Sequence, residues 1–277
     1  MIVTKQQFKL IITDHDGTLV NDERKLLPQT RETLERLHTQ GYLFGLASGR
    51  TVADAKTFPS KWSLSFDFDV IIGLGGGEIW DGVHQRLQKG KQLRPSVVKE
   101  IVELLAPFDL SISIIYPDGR HLVSKMDRFT KESMYRNPND RYEFPKDLSA
   151  LWQEEAPKVL CRIDEERMSQ LEAYVKAHPS PHYWGFKTRP DIFEFMDPEN
   201  TKSNGLRKIC RLLDISLEEV MAFGDTTNDN DLLACCYGVC MANGSEDTKA
   251  FSKDVTRYTN NENGVGDYIE RHLLQGK

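Results

Sequence analysis

Thr13-Asp14-His15-Asp16-Gly17-Thr18-Leu19 follows directly on the apolar run Leu10-Ile11-Ile12. The run reads as a buried strand, and the Gly-Thr pair as the loop that ends it. The segment therefore sets two carboxylates, two positions apart, at the carboxyl end of a strand. Two acids so close do not both stay ionised without a divalent cation or a shared proton. The plainer reading is an Asp-rich surface turn, because Asp readily bonds its own backbone. The segments further along the chain decide between the two.

Residues 28–40 carry Leu34 and Leu37 at helical spacing, with Gly41 as a stop signal. An apolar run, 42–47, leads into Ser48-Gly49-Arg50, and a helix is expected from Val52. Asp69-Val70-Ile71-Ile72 is a third strand that runs into Gly73-Leu74-Gly75-Gly76-Gly77. Strand, helix, strand, helix, strand is the pattern of a parallel sheet with crossover helices. The middle of the chain differs. Segments 111–116 and 121–124 flank Pro117-Asp118-Gly119-Arg120, a hairpin signal. Strands are expected at 158–163, 183–187 and 192–196, and a helix at 165–177. Near Pro198 the first pattern resumes, with a helix at 203–213, a strand at 220–223, a helix at 229–236 and a last core strand at 237–241. The fold class is α/β: a doubly wound, Rossmann-like parallel-sheet core with an inserted α+β cap domain. The expected boundaries are 1–82 for the first part of the core, 83–188 for the cap and 189–277 for the second part.

The 277 residues carry a formal net charge of -6, with 39% hydrophobic and 28% charged residues, as in ordinary globular proteins. The acidic balance argues against a nucleic-acid partner. No apolar stretch is long enough to cross a bilayer, so no membrane partner is expected. Met1-Ile2-Val3-Thr4-Lys5 lacks a signal-peptide pattern, and a cytoplasmic location is the default. Five cysteines, Cys161, Cys210, Cys235, Cys236 and Cys240, do not suggest a disulfide framework. Cys235, Cys236 and Cys240, in an apolar stretch without histidine, read as small buried hydrophobes rather than a metal or redox site.

Ligands of open α/β sheets bind at the carboxyl ends of the strands. Four polar segments fall there or at the adjoining helix starts: 14–18, 48–50, Lys202, and Gly224-Asp225-Thr226-Thr227-Asn228-Asp229. Ser48 and the amides beside Gly49 can donate to phosphate oxygens at a helix start. Lys202 supplies a compact cation that suits phosphate. Asp225 and Asp229 add oxygen ligands of the kind Mg²⁺ takes. A carboxylate nucleophile, a hard cation and phosphate donors make a phosphoryl-transfer site. Each part has a dull alternative: Ser48 as a helix cap, Arg50 as a solvated helix residue or ion-pair partner, Lys202 as a surface lysine, Gly224-Asp225 as a turn, and Asn228 or Asp229 as a cap. Their order and strand contexts argue against coincidence.

In these motifs the chain resembles the haloacid dehalogenase (HAD) superfamily of phosphohydrolases, and within it the Cof-type, subclass IIB, sugar-phosphatase branch. Asp14-His15-Asp16-Gly17-Thr18-Leu19 is similar to its first motif and Leu46-Ala47-Ser48-Gly49-Arg50 to its second. Lys202 stands for the third and the segment from Gly224 to Asp229 for the fourth. The resemblance implies that Asp14 attacks phosphorus and forms an aspartyl-phosphate. It implies that Asp16 protonates the leaving oxygen and then deprotonates the hydrolytic water. Mg²⁺ would be held by Asp14, the Asp16 carbonyl and Asp225, with Asp229 orienting the shell. Ser48, Gly49, Lys202, Asn228 and the His15 amide would hold phosphate. The implied activity is Mg²⁺-dependent hydrolysis of a small phosphorylated metabolite, a sugar phosphate or related monoester, by a monomer or small homo-oligomer. A phosphohexomutase-like phosphotransferase and a non-catalytic ligand-binding protein are the alternatives.

Three features depart from the branch. His15 stands at a position more often apolar, the run from Gly75 to Gly77 replaces an Asn-Gly-Ala-like sequence, and Thr201-Lys202-Ser203-Asn204-Gly205 replaces Ser-Lys-Gly. Arg120, His182, Tyr183, Trp184, Lys187 and Arg189 are the cap positions considered for specificity. The two aromatics among them read first as packing for the cap sheet.

Overall fold

Strand β1 (Leu10–Thr13) is buried at every position, as a central parallel strand covered on both faces must be. The computed structural model describes residues 8–116 and 118–274. After β1 come α1 (Pro28–Thr39), opened by a proline at its first position, and β2 (Leu43–Ala47). Two short helices, α2 (Val52–Ala55) and α3 (Phe58–Lys61), precede β3 (Val70–Gly73). Here the chain departs from the expected pattern. It doubles back through β4 (Glu78–Asp81) and β5 (Arg86–Lys89), each antiparallel to its predecessor.

Residues 91–200 form a separate compact unit. It contains α4 (Pro95–Leu105), β6 (Ser111–Ile115), β7 (Arg120–Val123), α5 (Arg128–Arg136), β8 (Arg141–Glu143), β9 (Val159–Arg162), α6 (Glu165–Ala177), β10 (Trp184–Arg189) and β11 (Ile192–Met196). Its sheet runs β10-β11-β9-β6-β7-β8. All pairings are antiparallel except that of β7 with β8. The expected hairpin joins β6 and β7, although Pro117 of its turn lies outside the described residues. Val98, Ile101 and Leu105 of α4 and Met168 and Leu171 of α6 share an apolar cluster with Ile114, Val159, Cys161 and Phe195 of the sheet. Tyr183 belongs to the same cluster and meets Phe195 edge-on at 5.4 Å.

The first unit then resumes with α7 (Lys202–Leu213), β12 (Val220–Gly224), α8 (Asn230–Cys235), β13 (Tyr237–Cys240), α9 (Glu246–Lys249), β14 (Asp254–Val255) and α10 (Gly264–Ile269). Its sheet has the order β14-β13-β12-β1-β2-β3-β4-β5. The strands from β14 to β3 are all parallel. Apolar clusters lie on both faces. Leu34, Leu37, Phe44, Phe223 and Tyr268 belong to one, and Leu10, Ile12, Leu206, Ile209 and Leu232 to the other.

The units divide after 90 and after 200, not at the expected 82/83 and 188/189. Pairing with β4 keeps β5 in the first sheet, and pairing with β9 keeps β11 in the second. The expected last core strand, β13, is followed by one more, β14. All five cysteines are free, and four are buried. Among the described residues no helix is long and apolar enough to cross a membrane.

Candidate active site

The parallel sheet places β12, β1 and β2 side by side, so the loops leaving their carboxyl ends are neighbours. Asp14 follows β1, Ser48 follows β2 and Asp225 follows β12. Backbone bonds continue the ladder past the strand ends: the Asp14 amide donates to the Phe223 carbonyl (2.9 Å) and the Ser48 amide to that of Ile72 (2.8 Å). Lys202 opens α7, whose N-cap Thr201 accepts from the Asn204 amide. Asp229 closes a single 3₁₀ turn before α8.

The side chains converge. Lys202 is buried, and its Nζ donates to Asp14 Oδ1 at 2.6 Å and to Asp229 Oδ1 at 2.5 Å. Asp229 Oδ2 accepts the amides of Asp225 (3.0 Å) and Thr226 (3.2 Å), which fixes its plane. Thr18 Oγ1 donates to Asp225 Oδ1 at 2.7 Å. Asp14, Asp225 and Asp229 are all buried and offer carboxylate oxygens within 4.8 Å of one another.

Three carboxylates face one ammonium, and the electrostatics show the imbalance. Burial, aided by Asp229 and Asp225, drives the Asp14 carboxyl well above its usual range, against the opposing pull of Lys202. Burial and Asp229 push Asp225 up to about 7, although Thr18 and Lys202 resist. Burial disfavours the Lys202 charge, but Asp14 and Asp229 outweigh it and lift the ammonium above its ordinary value. A cluster of buried oxygens with surplus negative charge fits a hard divalent cation. Asp14, Asp225 and Asp229 are the side chains that would hold it.

These shifts predict how the metal-free protein responds to pH. A carboxyl whose folded value is raised keeps a proton that the unfolded chain has released. Its contribution to stability is therefore lost as pH rises from about 4 to about 7. With chelator present, the melting temperature of the wild type should fall over this window relative to Asp225→Asn. A divalent cation should remove most of the difference. Parallel pH profiles of the two chelated proteins would contradict it.

Gly17, within the first motif, packs against this cluster. Its φ is +82°, and a Cβ there would stand 2.5 Å from Asp225 Oδ2. Gly17→Ala is therefore expected to displace Asp225 and weaken divalent-cation binding by about 10- to 100-fold, read by titration calorimetry.

Asp16 points elsewhere. Its carboxylate is half exposed, 3.1 Å from Arg50 Nη2 and 3.7 Å from Arg24 Nε. Burial works to raise it, but His15, Arg50 and Arg24 more than offset this and hold it well below the usual carboxylate range. His15 is buried, its ring stacked on Phe58 (4.7 Å) and Trp62 (5.7 Å). Its Nδ1 lies 3.1 Å from Asp16 Oδ2, in an alignment too poor for a proper hydrogen bond. The ring thus belongs to the packing, which explains how a histidine is accommodated at a position more often apolar.

The remaining expected positions are less committed. Ser48 Oγ accepts the Arg50 amide at 3.3 Å, while the helix cap is Thr51, which accepts the Asp54 amide. Gly49 is exposed. Asn228 is half-buried and bonded through Oδ1 to Thr226 Oγ1. Sequence reasoning left out Thr18 and assigned Arg50 nothing beyond ion pairing. Arg50 does pair, with Asp54 at 3.1 Å as well as Asp16. No local signal marks the pairing of Thr18 with Asp225, which are 207 positions apart, or that of Arg50 with Asp16.

In the other unit, Trp184 stacks on Phe186 (3.9 Å), and Arg120 bonds Glu154 (2.6 Å) above the Tyr116 ring. Lys187 lies 3.5 Å from Glu172, whereas His182 and Arg189 are exposed.

Residues 11–269 match the family model of haloacid dehalogenase-like hydrolases, and the chain belongs to that family. It is 26% identical to the Bacillus subtilis protein named "Putative phosphatase YxeH", over 96% of this chain and 99% of that one. It is also 26% identical to the 5-amino-6-(5-phospho-D-ribitylamino)uracil phosphatase YwtE of Bacillus subtilis, over 97% of this chain and 99% of that one. The solved structure of the HAD subclass IIB sugar phosphatase BT4131 shares the fold, with a TM-score of 0.79 at 22% identity over 95% of this chain and 98% of that one. The chain is thus a HAD-family phosphatase, and a divalent metal belongs to the chemistry of its family.

Proposed function

We propose that this phosphatase is Mg²⁺-dependent and hydrolyses small phosphorylated metabolites, sugar phosphates or related phosphomonoesters, through a phosphorylated Asp14. The observation that carries the reading is the buried set of Asp14, Asp225 and Asp229 around Lys202, at the carboxyl ends of adjacent parallel strands. An all-oxygen donor set suits Mg²⁺. The cation, held by Asp14, Asp225 and Asp229 with the Asp16 carbonyl, would offset repulsion between the nucleophile and a phosphate dianion.

The chain's own groups do the rest. Asp14 supplies the attacking oxygen. Lys202 holds that carboxylate in place and presents positive charge to the transferred phosphoryl group. Ser48, Gly49, Asn228 and the His15 amide bind the phosphoryl oxygens. Asp16, held ionised but weakly basic by Arg50 and Arg24, would take a proton from the water that cleaves the aspartyl-phosphate once it has drawn away from these cations. To protonate the leaving oxygen first, it must draw away from Arg50.

The test is phosphate release from a panel of phosphorylated metabolites, with Mg²⁺ and with chelator. Release from sugar phosphates that stops on chelation is expected. A hexose 1-phosphate converted to its isomer without free phosphate would favour a mutase instead. No release from any member, with Mg²⁺ present, would favour a ligand-binding protein.

A further inference from the structure

The 48–51 loop is held from outside by the turn that follows β3. The Leu74 amide donates to the Arg50 carbonyl (2.7 Å), and the Gly75 amide to that of Ser48 (3.0 Å). Glu78, the first residue of β4, completes the clasp. It is only 4% exposed, and its Oε2 accepts the amide of Val52 at 2.8 Å. Two carbonyls of the loop and the amide just beyond it are thus fixed by three residues, Leu74, Gly75 and Glu78, of one short stretch.

The same turn reaches the other phosphate element. Gly76 has φ +113°, and a Cβ there would lie 2.3 Å from the Thr201 carbonyl oxygen and 2.8 Å from its nitrogen. Thr201 is the N-cap of α7, and Lys202 is the next residue. The turn therefore sits with backbone bonds on the Ser48 loop and bare glycine against the start of the Lys202 helix. A buried acid near an anion site is electrostatically adverse, so its presence calls for a structural return. The bond to the Val52 amide supplies one, because that donor would otherwise be buried without an acceptor.

We propose that Glu78 is a positioning residue for phosphate binding. Its acceptor oxygen, working with the turn at Gly76, sets the Ser48–Gly49 segment in register with Lys202. The inference rests on the reading of Ser48, Gly49 and Lys202 as phosphate ligands. Glu78 touches no substrate and acts through the Val52 amide alone.

The experiment measures inorganic phosphate affinity by competitive inhibition and by calorimetry, Mg²⁺ affinity by calorimetry, and KM and kcat, in full-length variants. Glu78→Ala should weaken phosphate binding and raise KM by about tenfold or more. Mg²⁺ affinity should stay within about twofold, because the carboxylates sit on other loops. Glu78→Gln keeps an acceptor oxygen and should restore phosphate affinity to near wild type. Should Glu78→Ala fail to fold, Glu78→Leu, which fills the volume without an acceptor, carries the same expectation. Gly76→Ala should weaken phosphate binding from the other side of the turn.

Three outcomes would overturn the proposal: unchanged phosphate affinity in the folded Ala or Leu variant, equal loss of phosphate and Mg²⁺ affinity, or no rescue by Gln. A wild type that neither releases nor binds phosphate would instead overturn the underlying functional reading.

Discussion

Asp14→Asn is expected to lose metal-dependent phosphate release by about 10³-fold or more while remaining folded. The amide has nearly the shape of the carboxylate, and its oxygen can still accept from Lys202, which now bonds Asp14 Oδ1 at 2.6 Å. What disappears is the nucleophilic carboxylate oxygen and one of three crowded acids. Since burial and the other two acids already drive the Asp14 carboxyl well above its usual range, stability without metal should hold or rise. Steady-state assays beside thermal melts in chelator test both halves. Activity within tenfold of wild type would remove Asp14 from the nucleophile's role. A large drop in melting temperature would show that its charge supports the fold.

Lys202→Met is expected to have the second largest effect, on stability as well as turnover. The ammonium is buried and bonded to two buried carboxylates. Methionine keeps much of the volume but leaves the acids without a cation. Removing one partner of a buried ion pair costs about 3–5 kcal/mol. The loss should be greatest with chelator and above about pH 7, where Asp225 also ionises. A divalent cation should recover part of it by taking over the neutralising charge. Turnover should stay low even with saturating metal, because the charge facing the phosphoryl group is gone. Denaturation with and without Mg²⁺ measures this. A variant as stable as wild type in chelator would contradict the account of the cluster.

The same physics explains what could be read from sequence. Strands β1, β2 and β12 are buried on both faces, so they show as short apolar runs ending in polar loops. The Asp14 and Asp225 motifs sit in those loops and were legible locally. Lys202 is one lysine among many, and only its place in the fold joins it to Asp14, 188 positions away. The ion pair of Arg50 with Asp16 and the bond from Thr18 to Asp225 are likewise products of tertiary structure.

The boundaries were misplaced for a related reason. Strand β5 (Arg-Leu-Gln-Lys) is exposed at all four positions and carries no burial pattern. The sequence reading therefore ended the first unit too early. Strand β14 has two residues, too few for any periodic signal. The clasp formed by Glu78 could not be anticipated, because a buried acid in a glycine-rich setting looks like a surface turn until its acceptor role is seen.

The most direct test of the central claim is to look for the intermediate itself. Protein mixed with Mg²⁺ and a reactive phosphomonoester is quenched in acid, digested and mapped by mass spectrometry, with Asp16→Asn included to slow hydrolysis. The account predicts a phosphoryl group on the peptide containing Asp14, absent from Asp14→Asn and from chelated samples. Phosphate release without any adduct on that peptide, in wild type and Asp16→Asn alike, would contradict it.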